Sequence, residues 1–157
     1  MLKERVVSAL LLVSLIVWGL FTWSHYAFAT LLGVFILVGA WEWTRLMGMV
    51  RLAERIAYVV ALALVGAWII THPSWVRPLV FLAVLFWVLV LAEQVLLKRI
   101  ESGLLVTYAG KLLGGFLILL PAWIVPLALQ RMPQGAMPEG RWLVLYLMLL
   151  VWTADTG

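Results

Sequence analysis

Hydrophobic residues in this chain fall into six long runs separated by short polar connections. The first five runs approach or reach the about 20 residues that a helix needs to cross a bilayer. None of the runs alternates with a period of two, and lipid requires backbone hydrogen bonds to close internally, so helices are predicted rather than barrel strands. The pattern predicts an all-α, polytopic helical membrane protein with about six transmembrane helices in a single transmembrane domain, 1–157. The predicted spans are about 6–23, 27–43, 56–71, 79–97, 104–129 and 142–157.

The sixth run is shorter than a complete span. A helix over 142–157 would rise roughly 24 Å, whereas the hydrocarbon core is about 30 Å thick. No lysine or arginine follows the run to anchor it at the interface. We therefore expect the sequence to be the N-terminal part of a longer membrane protein, truncated in the sixth helix.

The composition is typical of a membrane protein, and it argues against a soluble domain, a nucleic-acid partner and cysteine-based sites. Hydrophobic residues make up 66% of the chain and charged residues 11%, with a mean hydropathy of +1.14. Soluble domains contain about 45–50% apolar and 25% charged residues. A net charge of +4 would suggest nucleic acid in a soluble protein, but here the basic residues lie between apolar runs, so no nucleic-acid partner is expected. The absence of cysteine excludes disulfides and thiolate metal sites.

The distribution of basic residues predicts the orientation. The N-terminus and the even-numbered connections, with the start of the fifth run, contain eight, and the other connections contain three. By the positive-inside rule, the N-terminus and the even-numbered connections are cytoplasmic. The eight are Lys3, Arg5, Arg45, Arg51, Arg55, Lys98, Arg99 and Lys111, and the three are Arg77, Arg131 and Arg141.

Three acids lie near the ends of predicted spans that run from outside to inside. They are Glu42, Glu93 and Asp155, and Lys111 lies near the start of the fifth span. This placement predicts a polar site at the cytoplasmic face. Glu42 and Glu93 also have a structural interpretation, which we favour. Glu42 can pair with Arg45 along one helix face, and Glu93 is close enough to Lys98 and Arg99 to be ordinary interface charge.

Asp155 is the strongest functional candidate. It is the only aspartate in the chain, it has no charged neighbour in sequence, and Thr153 and Thr156 flank it. A carboxylate in hydrocarbon costs roughly 2.5–3.5 kcal/mol on insertion scales, so such residues are usually functional. A short acid beside hydroxyls suits a hard cation such as Mg²⁺. We assign Asp155 as the candidate catalytic residue and candidate metal ligand, and assign no substrate-binding residue.

Glycines and prolines in the fifth run predict its packing. Gly110-x-x-x-Gly114, followed by Gly115, favours close approach between helices rather than a phosphate cradle. Pro121 and Pro126 are expected to kink the helix and to free backbone carbonyls one turn earlier, including that of Leu117.

Three segments together resemble one known family, the bacterial phosphatidate cytidylyltransferases (CDP-diacylglycerol synthases), over its N-terminal portion only. The opening Met1-Leu2-Lys3-Glu4-Arg5 leads directly into a first span, and Ala40-Trp41-Glu42-Trp43 closes the second. The terminal Val151-Trp152-Thr153-Ala154-Asp155-Thr156-Gly157 is similar to the family's Trp-x-x-Asp-x-Gly run. The terminal segment is the most specific of the three.

The resemblance implies a multi-pass enzyme of the bacterial inner membrane that serves phospholipid biosynthesis. Such enzymes condense CTP with phosphatidate, a membrane lipid, to give CDP-diacylglycerol and diphosphate, using Mg²⁺. The resemblance also implies that Trp152, Asp155 and Gly157 begin a conserved polar region at the cytoplasmic face. The family's later signature, which carries paired acids, is absent from these 157 residues, so we expect this portion to be inactive alone.

Three alternatives remain open from the sequence. A CTP-dependent polyprenol-type lipid kinase would share the nucleotide and the membrane setting. A transporter or channel segment could use the acids to line a polar path. A non-catalytic scaffold could use Gly110-x-x-x-Gly114 as an interaction face. A homodimer is compatible with the sequence, which does not determine oligomeric state.

Overall fold

The computed structural model describes residues 2–96, 103–132 and 139–156, with side chains at 11–96, 103–132 and 139–154. These ranges are helical and contain no β-strand, which confirms the predicted all-α class. Two short 3₁₀ turns, Pro73–Trp75 and Leu104–Val106, precede the fourth and fifth helices. The α-helices are α1 (Leu2–Thr22), α2 (His25–Leu46), α3 (Leu52–Thr71), α4 (Val76–Val95), α5 (Tyr108–Gln130) and α6 (Gly140–Thr156).

Four helical segments in the described part of the chain are long and apolar enough to cross a membrane, and the protein is an all-α membrane protein. They are His25–Leu46, Leu52–Thr71, Pro73–Val95 and Tyr108–Gln130. Two shorter apolar helical stretches are Leu11–Thr22 and Gly140–Ala154. The number of six spans stays a prediction.

The fifth helix begins four residues later than its apolar run suggested. The apolar run starts at residue 104, but Leu104–Val106 forms a 3₁₀ turn and α5 starts at Tyr108. The Gly110 N–H donates to Thr107 Oγ1 at 3.0 Å, which is the bond of a helix N-cap. The hydroxyl of Thr107 therefore sets the helix start, a signal that hydropathy does not contain.

Two compact units make up the fold. The first comprises residues 1–32 and 126–157, and the second comprises residues 33–125. The core of the first unit contains the fully buried side chains Leu20, Phe28 and Val144. Here α1 and α6 are in contact, and α2 and α5 each contribute one end.

Polar side chains bind the free backbone carbonyls at the C-terminal end of α1. The last carbonyls of a helix have no intrahelical partner, and lipid supplies no water to replace one. Arg141 Nη1 donates to the Phe21 carbonyl at 3.0 Å, and Gln130 Nε2 donates to the Leu20 carbonyl at 3.4 Å. The Gln130 Oε1 is also 3.1 Å from His25 Nδ1. Gln130 and Arg141, which lie just outside the predicted spans, therefore join α5 and α6 to α1.

In the second unit, the indole of Trp123 packs where two helices carry glycine. A Cβ added at Gly33 of α2 would lie 2.6 Å from Trp123 Cζ2, and one at Gly66 of α3 would overlap the same ring. Trp123 is buried, and so is Leu62, which lies about one turn before Gly66 on α3. Both glycines are thus required to admit the indole, which lets α5 pack against α2 and α3.

Pro121 leaves an unpaired carbonyl, and the structure supplies its partner. The helix runs without interruption through Pro121, whose ring nitrogen cannot donate to the Leu117 carbonyl. Trp87 Nε1 on α4 donates to that carbonyl at 3.3 Å. The predicted release of the Leu117 carbonyl is confirmed, and the indole of a neighbouring helix compensates for it.

The glycines at the start of α5 serve packing, as predicted, but each has a different partner. Gly110 lies against the backbone of Leu104 in its own preceding turn rather than against another helix. A Cβ at Gly114 would be 3.1 Å from Leu105 Cδ2 and 3.5 Å from Phe86 Cε1. Gly115 admits the indole of Trp43 and the hydroxyl of Tyr58.

We predict that Gly115→Ala lowers the free energy of unfolding by about 1–3 kcal/mol, because the new methyl overpacks the site and displaces two hydrogen-bonding side chains. Thermal unfolding in detergent, followed by circular dichroism, measures the effect. Gly39→Ala is the matched control, since its Cβ would be 3.6 Å from Leu119 Cδ2, an ordinary contact. Equal stability of the two variants would contradict the packing role of Gly115.

Candidate functional site

The turn between α2 and α3 has a defined geometry. The Gly48 N–H donates to the Arg45 carbonyl and the Met49 N–H donates to the Thr44 carbonyl, each at 3.0 Å. This pair of bonds is a Schellman motif, which requires a left-handed residue after the helix. Gly48 has φ 80° and occupies that position without a Cβ penalty. The turn thereby fixes where the N-terminal end of α3 starts relative to the C-terminal end of α2.

Arg55 on α3 binds the last turns of α2. Its Nε donates to Thr44 Oγ1 at 2.8 Å and its Nη2 donates to the Trp41 carbonyl at 3.3 Å. Its guanidinium carbon lies 3.9 Å from the centre of the Trp41 ring, within cation–π range. Thr44 is fully buried and donates its own hydroxyl to the Trp41 carbonyl at 2.6 Å. A cation at a helix C-terminus also interacts favourably with the helix dipole.

The start of α5 is joined to both α2 and α3 through its backbone carbonyls. Trp43 Nε1 donates to the Lys111 carbonyl at 3.0 Å, and the Tyr58 hydroxyl donates to the Leu112 carbonyl at 3.4 Å. These bonds hold the C-terminal end of α2 and the N-terminal part of α3 beside the first turn of α5. The sequence predicted these ends to lie on the cytoplasmic face; the bonds bring the ends together within the second unit, and their side of the membrane stays a prediction.

The three acids of this unit whose side chains are described all have partners. Glu42 lies 3.5 Å from Arg45, and Glu54 lies 3.7 Å from Arg51, both as exposed pairs one turn apart. Glu93 accepts a hydrogen bond from the Leu104 N–H at 2.7 Å. The structural interpretation is thus confirmed for Glu42 with its expected partner. Glu93 also has a structural partner, the Leu104 N–H, whereas its expected proximity to Lys98 and Arg99 stays a prediction because both lie outside the described residues.

Lys111 lines a small pocket at the same end of the unit. The pocket has a volume of about 150 Å³ and its other walls are Trp43, Leu46, Met47 and Leu105. Since Trp43 binds the Lys111 backbone, the indole fixes the position from which the lysine side chain extends. This arrangement combines one cation with an otherwise apolar surface.

Asp155 lies near the C-terminal end of α6, as the sixth apolar run predicted. Its side chain and that of Thr156 lie outside the described residues, and Gly157 lies outside them entirely. Trp152 is half-buried on the preceding turn. The assignment of Asp155 as catalytic and metal-binding therefore stays a prediction.

The three described acids of the second unit do not fit a magnesium site. Across residues with described side chains, no group of three or more histidine, cysteine, aspartate or glutamate residues converges. Magnesium prefers carboxylates with substrate phosphates and waters, and the carboxylates of Glu42, Glu54 and Glu93 have other partners. A magnesium ion at these three carboxylates would have to displace those partners.

Sequence reasoning missed the structural role of Arg55 and counted it only as a topology signal. A signal was present in the spacing, since Thr44 and Arg55 flank a short connection that contains Gly48. Such a connection forces the two helix ends together and brings their polar side chains within reach of each other. The indole bond from Trp43 to Lys111 had no comparable signal, because it joins residues far apart in sequence.

A family model described as the cytidylyltransferase family matches residues 3–157 of the sequence. The chain belongs to this family. A phosphatidate cytidylyltransferase of Pseudomonas aeruginosa is 35% identical over 161 residues, covering 100% of this chain and 56% of the relative. One of Haemophilus influenzae is 28% identical over 173 residues, covering 100% of this chain and 59% of the relative. The chain thus spans a little over half the length of these curated relatives. No solved structure matches it.

We predict that Arg55→Met lowers the free energy of unfolding of this family member by about 1.5–3 kcal/mol, because hydrogen bonds from a charged donor to buried acceptors are lost. Detergent-dependent unfolding, followed by tryptophan fluorescence, provides the measurement. Arg51→Met is the matched control, since Arg51 is 83% exposed and makes only a surface ion pair. A loss in the control as large as that in Arg55→Met would exclude a specific role for the Arg55 contacts.

Proposed function

We propose that this chain belongs to a phosphatidate cytidylyltransferase, which converts CTP and phosphatidate to CDP-diacylglycerol and diphosphate. The observation that carries the proposal is the alignment of the whole chain with two phosphatidate cytidylyltransferases. The Trp-x-x-Asp-x-Gly resemblance at residues 152–157 supports it from the residues themselves. The transporter and scaffold alternatives receive no support from these relatives.

The proposed reaction is a nucleotidyl transfer at the membrane surface. A phosphate oxygen of phosphatidate attacks the α-phosphorus of CTP, and the bond from that phosphorus to the departing diphosphate breaks. Catalysis of such a transfer depends mainly on positioning and on stabilising negative charge. Because phosphatidate lies in the leaflet and CTP is dissolved in the cytoplasm, the reacting groups meet where lipid gives way to water. We place the site at the cytoplasmic face of the inner membrane.

Asp155 is the proposed catalytic contributor from this chain, and Mg²⁺ is the proposed cofactor. The three described acids of the second unit have structural partners, whereas Asp155 carries the family-like motif. A magnesium ion, when bound, would neutralise phosphate charge. Asp155 would hold the ion together with groups beyond those described.

We expect Asp155→Asn to reduce CDP-diacylglycerol formation by roughly 100-fold or more, in the range seen when a positioned catalytic group is removed. The protein is expressed from its complete gene, and membranes are assayed with phosphatidate and CTP labelled at the α-phosphate. Glu42→Gln is the control and should retain near-normal turnover, because Glu42 makes only an exposed ion pair. Near-normal turnover by Asp155→Asn would remove Asp155 from the site.

The same assay separates cytidylyl transfer from lipid phosphorylation. A cytidylyltransferase places the α-phosphate label in the lipid product, whereas a lipid kinase would transfer the γ-phosphate label instead. Label arriving only from the γ-position would overturn the proposed reaction and favour the polyprenol-type kinase.

The proposed orientation puts the N-terminus in the cytoplasm, as the basic residues suggest. The chain has no cysteine, so single cysteines report accessibility without background. Val50→Cys, in the turn after α2 and 92% exposed, should react with a membrane-impermeant maleimide only from the cytoplasmic side. Ser74→Cys, in the 3₁₀ turn before α4, should react only from the opposite side. The reverse pattern would invert the topology and place the Asp155 end of α6 away from CTP.

A further inference from the structure

Within the second unit, the described acids already have partners and none pairs with the ammonium group of Lys111. Three of the acids in its unit are already engaged, by Arg45, by Arg51 and by the Leu104 N–H. The backbone carbonyl of Lys111 is occupied by the Trp43 indole. The polar group that Lys111 has available for another molecule is thus its ammonium.

The pocket beside Lys111 restricts the kind of molecule that it can accept. The side chains of Leu46, Met47 and Leu105 are apolar, and the Trp43 N–H already has an acceptor. A ligand with many polar groups, such as a nucleotide, would lose its hydrogen bonds to water here without replacement. A ligand with one anionic group attached to apolar chains loses little. The pocket therefore favours a lipid over CTP.

Pocket size points to the same class. A volume of about 150 Å³ is below the about 300–1,000 Å³ that holds a complete small-molecule ligand. It is enough for a phosphate and the first glycerol atoms, provided that the acyl chains extend outside into the bilayer. Exposed Leu46 at the rim supplies an apolar surface beside those chains.

The surrounding charge also favours an anion. The exposed ends of α2 and α3 carry Arg45 and Arg51, each in a loose surface pair that contributes little. With Arg55 and Lys111, the four described cations at this end outnumber the three described acids, Glu42, Glu54 and Glu93. Basic residues near a membrane surface attract anionic lipid.

We infer that Lys111 and the pocket formed with Trp43, Leu46, Met47 and Leu105 bind the phosphate end of an anionic glycerophospholipid. The assignment of phosphatidate as the physiological occupant rests on the proposed function. Binding of the lipid phosphate itself rests only on the geometry. Lys111 then holds the lipid, and its carbonyl bond to Trp43 positions it.

Titration of the purified protein, expressed from its complete gene and kept in a neutral detergent, tests the inference, with bound lipid counted by native mass spectrometry. We expect phosphatidate to bind more tightly than phosphatidylcholine, and Lys111→Met to weaken phosphatidate binding roughly tenfold. Lys111→Arg should retain most of the affinity, because the charge is kept. Unchanged binding by Lys111→Met would overturn the site.

Two further variants distinguish binding in the pocket from non-specific attraction to the cations on the surface. Arg51→Met removes a neighbouring exposed cation without touching the pocket and should change binding less than twofold. Leu46→Trp keeps every charge but fills the pocket, and should weaken binding severalfold while circular dichroism confirms folding. A loss in Arg51→Met equal to that in Lys111→Met, or no loss in Leu46→Trp, would overturn the inference.

Competition with inorganic phosphate shows whether the pocket binds a lipid or a free phosphate ion. Millimolar phosphate should fail to displace phosphatidate, because the apolar walls contribute to lipid binding; displacement would assign the site to free phosphate and overturn the lipid assignment. The readout needs no CTP and no turnover. Failure of the cytidylyltransferase assay with intact Lys111-dependent binding would therefore reject the proposed function alone.

Discussion

Backbone groups at helix ends and one turn before prolines lack an intrahelical partner, and where they are buried in the bilayer or the protein no water replaces it. Side chains from neighbouring elements supply that partner at several places in this fold. Arg141 and Gln130 serve the last carbonyls of α1, and the Trp87 indole serves the carbonyl that Pro121 leaves free. Glu93 accepts the first N–H of a 3₁₀ turn in the same way. Each such bond joins one element to another, so satisfying the backbone and assembling the helices are one process.

This requirement explains why so much of the polar side-chain chemistry in the second unit is structural. Arg55 and Trp43 look in the sequence like interface residues, but their donors are directed at carbonyls of α2 and α5. Removing the Arg55 side chain would take a donor away from the Trp41 carbonyl of α2. Removing the Trp43 side chain would take one away from the Lys111 carbonyl of α5. The cation of Lys111, by contrast, is bound by none of the described acids of this unit, and the same indole holds its backbone beside an apolar pocket.

The sequence predicted the fold class because hydropathy alone decides it, and it predicted most helices to within a few residues. The start of α5 was misplaced because the Thr107 cap, not apolarity, sets it. The packing of the Trp123 ring against Gly33 and Gly66 could not be predicted, because the three residues are distant in sequence. Small residues are also common in membrane helices, so the two glycines gave no specific signal. The pairing of Glu42 with Arg45 was predictable because both lie one turn apart on one helix.

The partners that the described carboxylates already have limit which of them could bind a cation. A carboxylate already satisfied by an N–H or a guanidinium can bind a cation only by giving up that partner, at a cost comparable to the bond it loses. Glu93 is the clearest case, because its 2.7 Å bond to the Leu104 N–H stabilises the turn that leads into α5. The Glu42 carboxylate could leave Arg45 at a lower cost, because their ion pair is exposed. The contacts at the described helix ends therefore serve to position α5. In the proposed reaction, stabilisation of the phosphate charge would fall to carboxylates outside that group, and Asp155 is the one that lies in the family-like motif.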